Sequence, residues 1–135
     1  MAPVLLDANY VIALEAADDQ NHTAATRHWR ELVKSMPTLV TTSFIFGEVV
    51  TFFNNRHRHD KAVEVGNKLM SSGSVELVHV DEELFFLAWS YFAKHGDKSY
   101  SLADCVSFVL MHRSGIEAAL TFDRHFAQAG FTMLP

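Results

Sequence analysis

The stretch VLLDANYVIALEA, Val4–Ala16, decides how the rest of the chain is read. Val4-Leu5-Leu6 is a short β-type run, Asp7 ends it, and the residues from there to Ala16 take up helical spacing. Outward from this opening the same alternation repeats. A helix over about 21–35 keeps Ala25, His28, Trp29, Leu32 and Val33 on one side, and Pro37 stops it. The β-branched TLVTT, Thr38–Thr42, reads as a strand, and Ser43 is placed to cap a very apolar helix over 44–55. An amphipathic helix follows over about 60–70, then the alternating strand VELVHV over 75–80. Asp81 opens a Phe- and Trp-rich helix to about Lys94, closed by Gly96, and Ser101 opens another through Arg113, closed by Gly115. A strand over 116–122, a short helix over 123–129 and a terminal strand over 131–134 complete the chain. Five strands alternating with helices predict an α/β domain whose parallel sheet is flanked by helices.

Composition agrees with a single folded domain. The 135 residues are 49% hydrophobic and 20% charged, enough for one core and too few for two ordinary domains. Six Gly, three Pro and sixteen aromatic residues exclude disordered, collagen-like and linker-rich chains. The one cysteine, Cys105, excludes an intramolecular disulfide and a Cys-rich zinc site; it reads as an inert core thiol in a reducing compartment. The N-terminus has no basic segment ahead of its apolar run, and no stretch approaches the ~18 apolar residues of a membrane span. The chain reads as soluble and cytoplasmic, with no membrane partner.

Charge is the odd feature: 11 Lys and Arg against 16 Asp and Glu, a formal −5. Four of the sixteen carboxylates are embedded in apolar segments. Asp7 and Asp123 each leave the C-terminal end of a predicted strand, where ligands bind in open α/β sheets at the point of reversal in strand order. Glu48 lies about one turn into the helix after the second strand, and Asp104 in the first turn of its helix, so both start near the same edge. Each has a plain structural reading. Asp7 and Asp123 could cap the helices that follow them, Asp104 could form a capping box with Ser101, and Glu48 could face solvent. Independent caps have no reason to converge on one edge, however. Four convergent carboxylates would repel and raise one another's pKa unless cations neutralised them, and an all-oxygen site suits Mg2+ or Mn2+.

At these residues the sequence resembles a PIN-domain ribonuclease of the VapC type, the toxin of a type II toxin–antitoxin pair. The resemblance spans the chain, 1–135, as a single PIN domain. It rests on Val4-Leu5-Leu6-Asp7-Ala8-Asn9, on Thr41-Thr42-Ser43-Phe44-Ile45-Phe46-Gly47-Glu48, and on Asp97 through Cys105. Asp123 follows nineteen residues after Asp104 in Thr-Phe-Asp-Arg-His-Phe, and the closing Ala-Gly-Phe also matches. The resemblance implies a three-layer α/β/α fold with a five-stranded parallel sheet in the order 3-2-1-4-5. It implies a metal-binding quartet at Asp7, Glu48, Asp104 and Asp123, and Mg2+-assisted hydrolysis of RNA phosphodiester bonds, with Mn2+ as a substitute. Ala8 stands where a Thr is often found. Asp97, Asn9 and Arg124 are accessory candidates: Asp97 as an outer-sphere or loop-ordering residue, Arg124 as a phosphate contact beside Asp123. An antitoxin and a homodimer are the implied partners. The alternatives are a nuclease of RNA processing without an antitoxin and a catalytically idle PIN-like binding module.

Three further patterns carry weight. The basic run Arg56-His57-Arg58-His59-Asp60-Lys61 suits either RNA phosphates or a solvated turn. The eight histidines are scattered, which argues against a zinc site, although His125 follows Asp123 by two and could approach the substrate. Leu84 through Phe92 is apolar around most of a helix, more than one core-facing stripe requires, which predicts a second buried surface in a dimer or partner groove.

Overall fold

A computed structural model describes residues 2–135. Its strands are β1 Val4–Leu6, β2 Leu39–Thr42, β3 Val75–Val78, β4 Ala118–Leu120 and β5 Thr132–Leu134. All neighbours pair in parallel, in the order β3-β2-β1-β4-β5. The central strands β1 and β2 are buried along their whole length, which is why Val4-Leu5-Leu6 and Leu39-Val40-Thr41-Thr42 show no apolar-polar alternation.

The helices are α1 Ala8–Glu15, α2 His22–Leu32, α3 Ser43–Asn54, α4 His59–Ser71, α5 Glu82–Lys94, α6 Leu102–Ser114 and α7 His125–Gln128. With this strand order, the right-handed rule for parallel crossovers assigns α1–α4 to one face of the sheet and α5–α7 to the other. Within these groups α1 contacts α2 and α3, α3 contacts α4, and α6 contacts both α5 and α7; α3 and α6 also meet each other. The core between the layers is dense in large side chains, with Leu5, Tyr10, Leu39, Ile45, Phe108, Met111, Leu120 and Phe126 all sealed from solvent.

Several boundaries differ from the sequence reading, each for a local reason. The helix expected over 21–35 ends at Leu32 and continues as one 3-10 turn, Val33–Ser35. The cap of α3 is Thr42, whose hydroxyl accepts from the Ile45 amide at 3.1 Å, and Ser43 is already helical. The Ser43 hydroxyl instead accepts from the Val80 amide at 2.9 Å, tying α3 to the segment leaving β3. Gly96 does not close α5. His95 occupies the cap, its amide donating to the Phe92 carbonyl and its ring Nδ1 lying 2.7 Å from the Tyr91 carbonyl. The strand expected over 116–122 shrinks to three residues: at its start the Ile116 amide donates to the Met111 carbonyl at 2.9 Å, and past its end the Phe122 amide donates to Asn9 Oδ1. The Ile116 bond completes the closure of α6 around Gly115, which sits at φ 69° as a left-handed cap requires. No described helix is long and apolar enough to cross a membrane.

The order 3-2-1-4-5 makes β1 and β4 neighbours on opposite sides of the reversal. Leu6 pairs with Leu120, so the residues that follow each strand, Asp7 and Thr121, emerge side by side at the carboxyl edge.

Candidate metal centre

Asp7 is only 8% exposed and is held at both oxygens. Its Oδ1 accepts from the Ala8 amide at 2.9 Å, so it caps α1 as its position allows. Its Oδ2 accepts from the Thr121 hydroxyl at 2.8 Å and from Asn9 Nδ2 at 3.1 Å. Asn9 Oδ1 in turn accepts from the Phe122 amide at 2.9 Å, and the Thr121 oxygen accepts from the Asp123 amide at 3.0 Å. One polar chain thus joins the exits of β1 and β4 and sets Asp7 and Asp123 relative to each other.

Asp104 and Ser101 form a reciprocal capping box at the start of α6. The Asp104 amide donates to Ser101 Oγ at 3.0 Å, and the Ser101 amide to Asp104 Oδ2 at 3.1 Å. Asp123 Oδ1 accepts from the His125 amide at 2.9 Å. The capping reading holds for Asp7 and Asp104, whose helix starts aim them at the edge; Asp123 is not the cap of α7, a place that Arg124 takes, and it reaches the edge from the turn before it. Glu48 lies inside α3, and among the described residues its side chain makes no hydrogen bond or ion pair.

The four carboxylates border one cleft of about 330 Å3, with Ile12, Ser99, Ser101 and His125 also in its wall. Among the described residues no Lys or Arg lines it. The electrostatic consequence is visible at two groups. Burial, partly offset by the bonds from Thr121 and Ala8 and reinforced by Asp104 and Glu48, pushes the Asp7 carboxyl up to about 7. Glu48 is raised as well, first by desolvation and then by Asp104 and Asp123. A donor set made mostly of carboxylate oxygens, with no Lys or Arg among the described residues of its wall, fits a hard divalent cation.

The accessory candidates part company. Asn9 lies in the cleft wall and braces Asp7. Asp97 stays outside, its side chain 74% exposed and 3.8 Å from Lys98. Arg124 is exposed on α7's leading edge and does not border the cleft. The basic run spans the turn after α3 and the first residues of α4, where the Arg56 guanidinium lies 3.5 Å from the Phe52 ring centroid and Arg58 pairs with Asp60. Lys61 bridges Glu15 and Glu64 at 2.9 Å each, so the run is largely engaged locally and away from the cleft. Burial pushes the Cys105 thiol up to about 11, in keeping with an unreactive core cysteine. Thr121 is the residue that sequence reasoning passed over. Its signal is position, a hydroxyl at the end of a central strand two residues before an embedded Asp.

This fold and edge define a PIN domain, and the chain matches the PIN domain family over residues 4–132. It belongs to that family of nucleases. Within it, the chain is a homologue of VapC-type toxin endonucleases. It is 33% identical over 128 residues, 95% of each chain, to the 23S rRNA-specific endonuclease VapC20 of Mycobacterium tuberculosis, in strains CDC 1551 and H37Rv alike. The crystal structure of M. tuberculosis VapC20, a sarcin-ricin loop cleaving toxin, superposes with a TM-score of 0.87 at 32% identity, covering 96% of both chains. VapBC2 of Rickettsia felis, solved on a promoter DNA fragment, shares the fold at a TM-score of 0.71 and 10% identity, covering 98% of this chain and 97% of that one.

Proposed function

We propose that this chain is a divalent-metal-dependent endoribonuclease whose metal is held by Asp7, Glu48, Asp104 and Asp123. The observation that carries the reading is the set of four carboxylates around one cleft at the β1/β4 reversal, lined by no Lys or Arg among the described residues. Mg2+ or Mn2+ bound there would lower the pKa of a coordinated water and offset charge on the phosphate under attack. The protein's own part is placement. Thr121 and Asn9 hold the Asp7 oxygens in fixed directions, and the Ser101 capping box does the same for Asp104. Rigid starts of α1 and α6 leave little reorganisation to the bound state.

The substrate we assign is a structured RNA of the kind the VapC20 relative cleaves, ribosomal RNA in the cytoplasm. Toxin activity implies an antitoxin that covers the cleft, and the exposed aromatic side of α5 suits a homodimer. Incubating the purified chain with intact ribosomes and mapping new RNA ends tests this assignment. One discrete cut in the large-subunit RNA is expected; cleavage of transfer RNA alone would overturn the choice of target.

A further inference from the structure

The cleft contains a nitrogen donor that the carboxylate quartet leaves out. His125 Nδ1 lies 3.2 Å from Asp104 Oδ2 and 3.4 Å from Asp123 Oδ1. Donor atoms of these three residues all fall within 4.8 Å of one another. The ring is fixed by its surroundings: the His125 amide donates to Asp123, and the imidazole meets the buried Tyr100 ring edge-on with centroids 5.3 Å apart.

Two ligands at adjacent corners of an octahedron, with metal bonds of about 2.1–2.2 Å, stand roughly 3.0–3.1 Å apart. His125 Nδ1 lies within a few tenths of an ångström of that spacing from both carboxylates at once. A hydrogen bond accounts for the arrangement less well. Nδ1 carries at most one proton, so a hydrogen bond to Asp104 at 3.2 Å satisfies only one of the two oxygens it faces and leaves the approach to Asp123 at 3.4 Å unexplained. We infer that His125 is a nitrogen ligand of the metal centre, and that the mixed nitrogen–oxygen set holds Mn2+ in preference to Mg2+. The inference rests on the metal-centre reading above and goes further by adding a donor and choosing between the two ions. Mg2+ is hard, favours oxygen and keeps its waters, whereas imidazole favours first-row transition ions; among these Mn2+ also suits carboxylates.

The test uses the full chain labelled with 15N-histidine and loaded with Mn2+, read by electron spin echo envelope modulation, alongside calorimetric titration with Mn2+ and with Mg2+. A directly bonded histidine nitrogen is expected in the wild type and should vanish in His125→Asn. That variant should lose about tenfold or more in Mn2+ affinity while Mg2+ affinity changes by no more than about twofold. Bound Mn2+ without a histidine coupling overturns the proposal, as does a coupling that survives in His125→Asn. Equal weakening of both ions overturns it too, because a residue that only orients Asp104 would act on both alike. A wild type that binds neither ion would bring down the metal-centre reading with it, an outcome distinct from the others.

Discussion

Three hydrogen bonds reach the Asp7 carboxylate, from Ala8, Thr121 and Asn9, and each favours its charged form. Burial beside other acidic groups outweighs them, leaving the carboxyl at about 7 against an ordinary value of 3.8. The folded state therefore binds this proton more tightly than the unfolded chain does. Its contribution to stability is fully present below about pH 4 and is lost as pH rises toward about 7. The gap amounts to a few kcal/mol at most, on the order of 4 by the usual conversion. Glu48 is shifted in the same direction. In excess EDTA, Asp7→Asn is expected to melt at a higher temperature than the wild type at pH 8 and to lose that advantage at pH 4. A melting-temperature series across pH checks this, and an advantage that does not change with pH would contradict it. Added Mn2+ or Mg2+ should stabilise the wild type more as pH rises, since the ligands bind metal only when deprotonated.

The elements around the cleft serve as both scaffold and aim. The start of α6 is the clearest case, because Ser101 and Asp104 satisfy each other's amides while Asp104 faces the cleft. Ser101→Ala should cost about 1 kcal/mol of stability, a typical capping loss. It should also weaken RNA cleavage by more than that loss explains, because Asp104 is freed to rotate. Denaturant unfolding beside a cleavage assay at saturating metal separates the two effects; unchanged cleavage would mean that the box is structural only. Much of this was legible in the residues themselves. Val4-Leu5-Leu6-Asp7 announced a central strand and its carboxylate, and Ser101 and Gly115 marked the two ends of α6. What was not legible depended on distant partners. In Thr41-Thr42-Ser43 any hydroxyl could cap α3, and the choice falls to Thr42 because Ser43 is taken by the Val80 amide, 37 residues away. Thr121 likewise acquires its role only because β4 lies beside β1, which brings it 2.8 Å from a residue 114 positions earlier. The proximity of His125 to Asp104, across 21 residues, needed the packing of α7 on α6.

Across the whole molecule, the −5 charge has an address. Four of sixteen acidic residues border one cleft, leaving twelve against eleven basic residues, so the remainder is nearly neutral. On the proposed reading the acidity belongs to a metal site, so it does not argue against a nucleic-acid substrate. The other whole-molecule feature is α5, which leaves Phe86 60% and Trp89 53% exposed, with Phe85, Leu87 and Phe92 also exposed and Trp89 stacked on Phe92. An apolar surface of this kind suits a second copy. Trp89→Glu should convert a dimer into a folded monomer in sedimentation analysis, and a wild type that is monomeric throughout would contradict the dimer. The central claim is that the acidic cleft hydrolyses RNA with a bound divalent cation. Its most direct test is cleavage of ribosomal RNA by purified wild type and Asp7→Asn, each with added metal and with excess EDTA. The wild type should cut only with metal present, and Asp7→Asn should lose more than about a hundredfold, beyond what removing an outer-sphere group would cause. Undiminished cutting by Asp7→Asn, or wild-type cutting that persists in EDTA, would contradict it.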